Sequence, residues 1–397
     1  MLTGSRIVVI GAGIAGLAAA RALALRGAEV TVFEQAPEIR EVGAGLQIAA
    51  NGARVLNALG LAESLARLGQ RAEAVELTDG ETGARVARLP LSPGEPGIGE
   101  FPPLYRFLHR ADLIALLLAG AAEAGATVRT GARVDRIDLG DDRPSLTLAS
   151  GETLISDLLL GADGLHSTLR EALNGRVAPF FTHQVAWRAT LPAEGPIPPV
   201  ARVYLGPGRH LVTYPLRGGT LRNIVAVEER RSWAEESWSL TDDPLALRIA
   251  FEDFLPEVRG WLDRIERPAL WGLFRHPVAE RWHGPNAAIL GDAAHPTLPF
   301  LAQGANLALE DAWVLAEALA NHDAPPHAFA AYQAARRPRV LRAVAAANAN
   351  ARNYHLTGLR RDLAHTALRL AARLAPGRHA ARFDWLYGFD VTGGQGG

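Results

Sequence analysis

The sequence predicts an α/β fold, α+β overall, in which a parallel-sheet domain is interrupted by an inserted, largely antiparallel sheet and followed by a helical C-terminus. Three observations predict it. The chain opens on "RIVVI", "GAGIAG", an apolar helix and "EVTVFE", which is a strand–helix–strand start. From about Val177 to Pro268 the texture changes to short alternating runs such as "HLVTYPL" and "LRNIVAVEE". The β–α texture then returns at "AAILGDAAH", and most of the chain beyond Gln303 reads as helix.

Each element has a local reason. Arg6–Ile10 is an unbroken β-branched run, hence a buried parallel strand, and helix continues from there to about Arg26. "RVLNALGLAESLARL" carries a helical period, and "AVELTDGETGARVARL" reads as a hairpin around Asp79-Gly80. "ADLIALLLAGAAEAG" is a buried helix feeding one strand, "ATVRTGARVDRIDL", and "PSLTLASGETLISDLLLGADG" is a hairpin running into a further strand. The C-terminal stretches "HAFAAYQAARRPRVLRAVAAANANARNYH" and "LRRDLAHTALRLAARL" are helical, with Pro338 expected to break the first.

Composition removes several function classes. The 397 residues contain no Cys, so thiol nucleophiles, thiolate metal sites and disulfides are excluded. All 41 basic residues are Arg, which excludes a Schiff base on lysine. No His pair has the spacing of a helical metal site, and no metal is expected. A net charge of −1 gives no sign of a nucleic-acid partner. The charge is uneven, with 11 Arg against 3 acidic residues from Ala331 onward, a pattern that most simply makes a solvated helical face. The apolar run Ile7–Ala20, flanked by Arg6 and Arg21, could pass for a signal peptide, but its three spaced glycines and the strand after it argue against one. Leu113–Ala122 is too short to span a bilayer, so a cytoplasmic protein without a membrane partner is expected.

Three constellations carry chemistry. In "GAGIAG", Gly11 makes the turn, Gly13 lets backbone approach a pyrophosphate, and Gly16 lets the helix pack closely, with Ala15 on the same turn. Glu34 ends the second strand, where a carboxylate accepts from a ribose hydroxyl. This pattern points to a dinucleotide and does not choose NAD over FAD. "GADGLHSTLR" allows two readings: a turn capped by a Thr168–Glu171 box, or Asp163 placed beside the dinucleotide. In "GDAAHPTLPFLAQGANLALED", Asp292 could accept from sugar-alcohol hydroxyls, while Gln303-Gly304-Ala305-Asn306 opens a helix whose bare N–H groups favour negative charge. FAD has a ribityl chain to meet Asp292 and a ring that becomes anionic on reduction; NAD has neither. Two glycine loops thus serve one long cofactor. His210 and Tyr214, four apart on a predicted strand, share a face and read either as core packing or as catalytic groups. Trp187, Arg188 and Trp271 could shape a pocket or hold a carboxylate, or simply pack the sheet.

"GAGIAG", Glu34, "GADG", "GDAAHPTLPFLAQGANLALEDA", "AARRPRV" and "DWLYGFD" together resemble the class A FAD-dependent aromatic hydroxylases, of the salicylate hydroxylase and 3-hydroxybenzoate 6-hydroxylase type. The likeness runs nearly end to end, without a thioredoxin-like C-terminal extension. It implies non-covalent FAD, NADH or NADPH as a transient electron donor, O2 and a small aromatic substrate. It implies FAD contacts from Arg40, Arg110, the Val134 backbone, Asp163 and Asp292. It also implies that His210 and Tyr214 lie by the flavin ring with Gln303 across from them.

The expectation is therefore a discontinuous Rossmann-like FAD-binding domain (1–75, 98–178 and 269–335), an inserted substrate domain (76–97 and 179–268) and a C-terminal helical segment (336–397). Its expected reaction is hydroxylation of a phenolic or hydroxybenzoate-like ring through a flavin C4a-hydroperoxide. A His titrating near neutrality, acting directly or through the Tyr hydroxyl, would remove the phenol proton. The alternatives are a non-hydroxylating FAD-dependent reductase or dehydrogenase of the same fold, an FAD-bound sensor, and an NAD-only dehydrogenase.

Overall fold

The computed structural model describes residues 2–39, 45–91, 104–140, 143–230, 240–374 and 382–393. A five-stranded sheet, all parallel, runs in the order Ala287–Ile289, Leu158–Gly161, Arg6–Ile10, Glu29–Phe33, Thr127–Arg129. Its central strands are buried on both faces, which is why they read as unbroken apolar runs. Helix Ile14–Ala24 packs between this sheet and helix Gly304–Asn321, so the first and second glycine loops open adjacent helices.

The predicted strand "ATVRTGARVDRIDL" divides in two. Thr127–Arg129 joins the parallel sheet, while Val134–Asp138 pairs antiparallel with Ser145–Leu148 in a separate three-stranded sheet. Gly131, at φ +65°, turns the chain between them. Likewise "RVLNALGLAESLARL" forms two helices, Ala50–Ala58 and Ala62–Leu68, parted at Gly60.

The eight-stranded sheet runs in the order Leu240–Thr241, Ala269–Arg275, Phe180–Pro192, Leu221–Glu229, Arg209–Leu216, Val200–Gly206, Ala74–Asp79, Arg85–Pro90. Every pairing is antiparallel except that of Val200–Gly206 with Ala74–Asp79. One face buries Trp187, Tyr204 and Leu211 against helices Pro244–Ala250 and Pro256–Asp263. The opposite face is turned toward the parallel-sheet body.

Pro338 does not break its helix. Pro325–Tyr354 continues through it for 30 residues. A proline removes one helical N–H bond and crowds the preceding turn; here tertiary anchors on either side outweigh that. Arg336 donates to Asp311 at 2.8 Å and to Glu310, and Arg339 donates to both Glu310 oxygens at 2.8 Å. Glu310 also accepts from Asn51 at 2.6 Å, and Asp311 accepts from the Gly291 N–H at 3.0 Å and pairs with His295. Glu310, Asp311, Arg336 and His295 are all buried. Burial pushes both carboxyls up, but Arg336 and Arg339 at Glu310, and His295 and Arg336 at Asp311, prevail and hold them below the usual carboxylate range.

Replacing Arg336 by Met removes the counter-charge that the two buried carboxylates share. Thermal and denaturant unfolding should show a loss of about 3–5 kcal/mol. Because the folded-state pKa values of Glu310 and Asp311 are depressed, their stabilisation is complete above the unfolded carboxylate pKa, near ~4, and is lost as pH falls below it. The wild type should therefore lose stability on acidification below about pH 4, and R336M should lose less over the same interval.

Candidate active site

One cavity of about 1100 Å³ runs from the first glycine loop, beneath the eight-stranded sheet, to the second glycine loop. Its nucleotide end is built by what three glycines permit. Gly11 adopts φ +100°, and a Cβ there would lie 2.5 Å from the Ala162 carbonyl oxygen. At Gly16 a Cβ would meet the Gly11 carbonyl oxygen at 1.9 Å, so the residue lets the helix close on its own loop. At Gly13 a Cβ would touch nothing within 4 Å; it faces the open space that a pyrophosphate would fill. Helix Ile14–Ala24 starts there without a side-chain cap, leaving its first N–H groups available to an anion.

Glu34 does more than await a ribose. Its carboxylate accepts from the Ala12 and Ala36 N–H groups, both at 2.9 Å, and so ties the glycine loop to the end of the second strand. Asp163 accepts from the Thr168 N–H at 2.8 Å, while its Oδ1 is buried without a partner among the described residues. Burial raises its carboxyl above the usual range. The expected Thr168–Glu171 box is displaced by one residue: Ser167 is the N-cap, accepting from the Arg170 N–H at 3.0 Å. Arg110, Val134, Ala15 and Asp292 line the same cavity. Asp292 is exposed and lines the cavity, and the protein packed around it raises its carboxyl. Arg40 lies outside the described residues.

At the far end, Gly304 and Ala305 line the cavity at the start of their helix. Asn306 does not. Its carboxamide accepts from the Ala49 N–H at 2.9 Å and donates to the Gln47 and Ala302 carbonyls, bracing the helix from behind. Gln303 accepts from Asn51 at 2.9 Å, and its Nε2 is buried with no partner among the described residues. Thr297 Oγ1, in the same wall, is likewise unsatisfied. Buried donors and acceptors without partners are rare. These lie where a long ligand with a sugar-alcohol chain and a heteroaromatic ring would satisfy them, so the residues fit FAD.

The sheet forms the other wall. Its register lines up Arg188, Val225, Val212, Val203, Leu77 and Ala87 in one row, all facing the cavity. His210 and Tyr214 flank that row on the same face, as their spacing predicts. They are not joined by a hydrogen bond. Tyr214 stacks on Phe107 with ring centroids 5.1 Å apart, and burial raises its phenol. His210 Nδ1 instead lies 2.8 Å from His355 Nε2. Burial, aided by His355, pushes the His210 imidazole well below its usual value, so the expectation of a His titrating near neutrality is corrected: His210 is neutral at pH 7.

Arg188 emerges from the alternatives as a site residue. Its guanidinium stands 4.1 Å over the Trp271 ring and has no carboxylate partner among the described residues. Burial lowers its pKa to about 10, so it is still a cation at neutral pH. Among the described residues no cluster of His, Asp and Glu is arranged to hold a metal ion. No described helix is long and apolar enough to cross a membrane.

Comparison with known proteins agrees with this geometry. Residues 5–347 match the family described as FAD binding domain. The chain is 36% identical to a 3-amino-4-hydroxybenzoate 2-monooxygenase of Streptomyces platensis, covering 98% of this chain and 96% of that protein. It is 35% identical to the 3-hydroxybenzoate 6-hydroxylase of Polaromonas naphthalenivorans, over 97% of this chain and 96% of that one. In fold it is similar to a salicylate hydroxylase in its substrate complex, with a TM-score of 0.81 at 24% identity over 98% and 96% of the two chains. With FAD-shaped features along the whole cavity and relatives matched end to end, the chain belongs to the FAD binding domain family and, within it, to the FAD-dependent aromatic monooxygenases.

Proposed function

We propose that the protein hydroxylates an aromatic ring carrying both a phenol and a carboxylate, with NADH or NADPH as transient electron donor and O2 as oxidant. Arg188 carries the carboxylate part of this reading. A half-buried cation whose Nε is buried without a partner among the described residues, set in a cavity wall of Val, Leu and Ala side chains, calls for an anionic guest. The two relatives above are named for a hydroxybenzoate bearing an amino group and for a hydroxybenzoate, both anions of this kind. Bound FAD supplies the two-electron redox chemistry and the activated oxygen.

The chain's own residues then have separate tasks. Gly11, Gly13, Glu34, Arg110, Val134, Asp163 and Asp292 are proposed to hold the nucleotide and sugar portions. The helix start at Gln303, Gly304 and Ala305 faces the ring. Arg188 fixes the substrate carboxylate against Trp271, and His210 takes the phenol proton through Nε2, leaving an electron-rich ring to meet the oxygen. In this reading FAD lies on the segments 1–75, 98–178 and 269–335, and the inserted sheet covers the substrate. The cytoplasm, where reduced nicotinamide is supplied, is its proposed location.

Purified protein should carry flavin that denaturation releases, since no Cys is present to tether it. Glu34→Ala should weaken FAD affinity by about 1–3 kcal/mol, measured by flavin fluorescence titration. Unchanged affinity would make Glu34 only a brace for the glycine loop.

Arg188→Leu should lower kcat/KM for a hydroxybenzoate by about 10²–10³-fold, equivalent to roughly 3–4 kcal/mol, for the loss of one partner of a charge pair. The corresponding phenol without its carboxylate should be turned over by wild type and variant at similar rates. Equal losses on both compounds would assign Arg188 to sheet packing.

His210→Ala should keep its flavin but lose coupling. Product formation should slow by about 10²–10⁴-fold, with NAD(P)H oxidation diverted to hydrogen peroxide. Coupling should recover as the pH approaches the substrate's own phenol pKa. Product, NAD(P)H and peroxide measured together across pH decide this, and wild-type coupling at neutral pH would refute the base role.

A further inference from the structure

His210 lines the cavity at one end of a continuous chain of hydrogen-bonding groups. Its Nδ1 is 2.8 Å from His355 Nε2, and His355 Nδ1 is 2.8 Å from Glu229 Oε1. The His355 side chain is 2% exposed, whereas that of Glu229 is 53% exposed. The chain thus starts in the cavity and ends at the surface, crossing a buried stretch. Phe300 and Tyr354 pack on the His210 ring, with centroids 5.6 and 5.2 Å away, and leave it no aqueous surroundings other than the cavity. The register places Glu229 at the end of strand Leu221–Glu229, beyond Val227, the partner of His210. His355 caps the C-terminus of helix Pro325–Tyr354 and accepts a backbone bond from Gly208, which fixes the helix end on the sheet.

One tautomer pattern satisfies His210, His355 and Glu229 together. Glu229 as carboxylate requires N–H at His355 Nδ1, so His355 Nε2 is a lone pair. That lone pair requires N–H at His210 Nδ1, so His210 Nε2 is a lone pair facing the cavity. We propose that His355 and Glu229 are a proton exit that carries the substrate's phenolic proton from His210 to the protein surface. The inference rests on the hydroxylase reading above. Each step is balanced. The phenol O–H breaks as His210 Nε2–H forms, His210 Nδ1–H breaks as His355 Nε2–H forms, and His355 Nδ1–H breaks as Glu229 O–H forms. Glu229 then gives its proton to water. Run inward when the product phenolate is protonated, the same sequence restores the starting tautomers.

The exit answers a difficulty in the site. A buried imidazole cannot retain a proton taken from a phenol, whose own pKa is near ~10. It can pass the proton on if the next acceptor leads outward. His355 is suited to this, because the negative end of a 30-residue helix and the Glu229 carboxylate both favour transient positive charge there. The nearby charges are otherwise engaged: Glu228 by Arg230 at 3.0 Å, and Arg209 by Asp253 and the Ala250 carbonyl. Gln184 Nε2, 3.3 Å from His355 Nδ1, is itself a donor and makes no bond to the protonated Nδ1 in this pattern. His355 and Glu229 are positioning residues, since neither touches substrate.

The test is rapid mixing of oxidised, FAD-loaded enzyme with a hydroxybenzoate, following phenolate absorbance together with a pH-indicator dye. No turnover is needed. In the wild type, phenolate formation and proton release should coincide. His355→Ala and Glu229→Gln should slow both by about 10- to 100-fold, with the substrate dissociation constant and flavin spectrum near wild type. Free imidazole should restore the rate in His355→Ala, an effect that a merely structural role would not give. If that variant fails to fold, the exposed Glu229→Gln still decides. Wild-type rates in Glu229→Gln overturn the exit at that carboxylate, and wild-type rates in both variants overturn the relay while leaving the hydroxylase reading intact. A wild type that ionises none of a panel of hydroxybenzoates and phenols overturns both.

Discussion

The geometry of the cavity depends on one buried ionic cluster. Glu310 and Asp311 are consecutive on a buried helix, so their side chains leave it in different directions. Glu310 reaches Asn51, Arg336 and Arg339; Asp311 reaches Arg336, His295 and the Gly291 N–H. The loop from Gly291 to His295, helix Pro325–Tyr354 and helix Ala50–Ala58 are thereby pinned to helix Gly304–Asn321 at one point. A buried ion pair is a poor source of net stability, because desolvation offsets most of the attraction. What it supplies here is position. Hydrocarbon packing would tolerate a small slide of helix Gly304–Asn321 along its neighbours; four directional acceptors do not. The unsatisfied Nε2 of Gln303 is held in the cavity wall by the same restraint, through Asn51.

The two sheets contribute in different ways. The parallel sheet ends its strands at loops whose backbone, rather than side chains, faces the ligand: Gly11, Gly13 and Ala162. The eight-stranded sheet presents a flat row of small aliphatic side chains with Arg188, His210 and Tyr214 set into it. Backbone recognition suits a cofactor whose shape is constant. Side-chain recognition suits a substrate, since a single replacement in the row alters the pocket and leaves the ladder of backbone bonds intact.

The two halves of the site were legible in the sequence to different degrees. The glycine loops, Glu34 and Asp292 could be read because the chemistry is local: a turn, a close approach and a helix start within a few residues. The shared face of His210 and Tyr214 came from the strand period. Their partners did not, because His355 is 145 residues from His210 and meets it only through strand register and the landing point of a helix. Arg188 was ambiguous for the same reason: whether a strand arginine is paired or orphaned depends on which strands flank it. Pro338 misled because helix propensity competes with tertiary anchors visible in the sequence only as "ED" and "RRPR". Asn306 shows the opposite limit, a residue in the right motif whose side chain faces the scaffold.

The lining of the cavity has a chemical consequence beyond recognition. Its wall consists of aliphatic, aromatic, amide, carboxylate, imidazole and guanidinium groups, with no sulfur among the described residues that line it. The chain as a whole has no Cys and a single Met, at position 1. Thiolates and thioethers are the side chains that peroxide oxidises most readily. A flavoprotein that leaks peroxide when turnover misfires exposes its own interior to that oxidant before any other molecule. A peroxide formed in this cavity would meet no thiol or thioether among the described residues that line it.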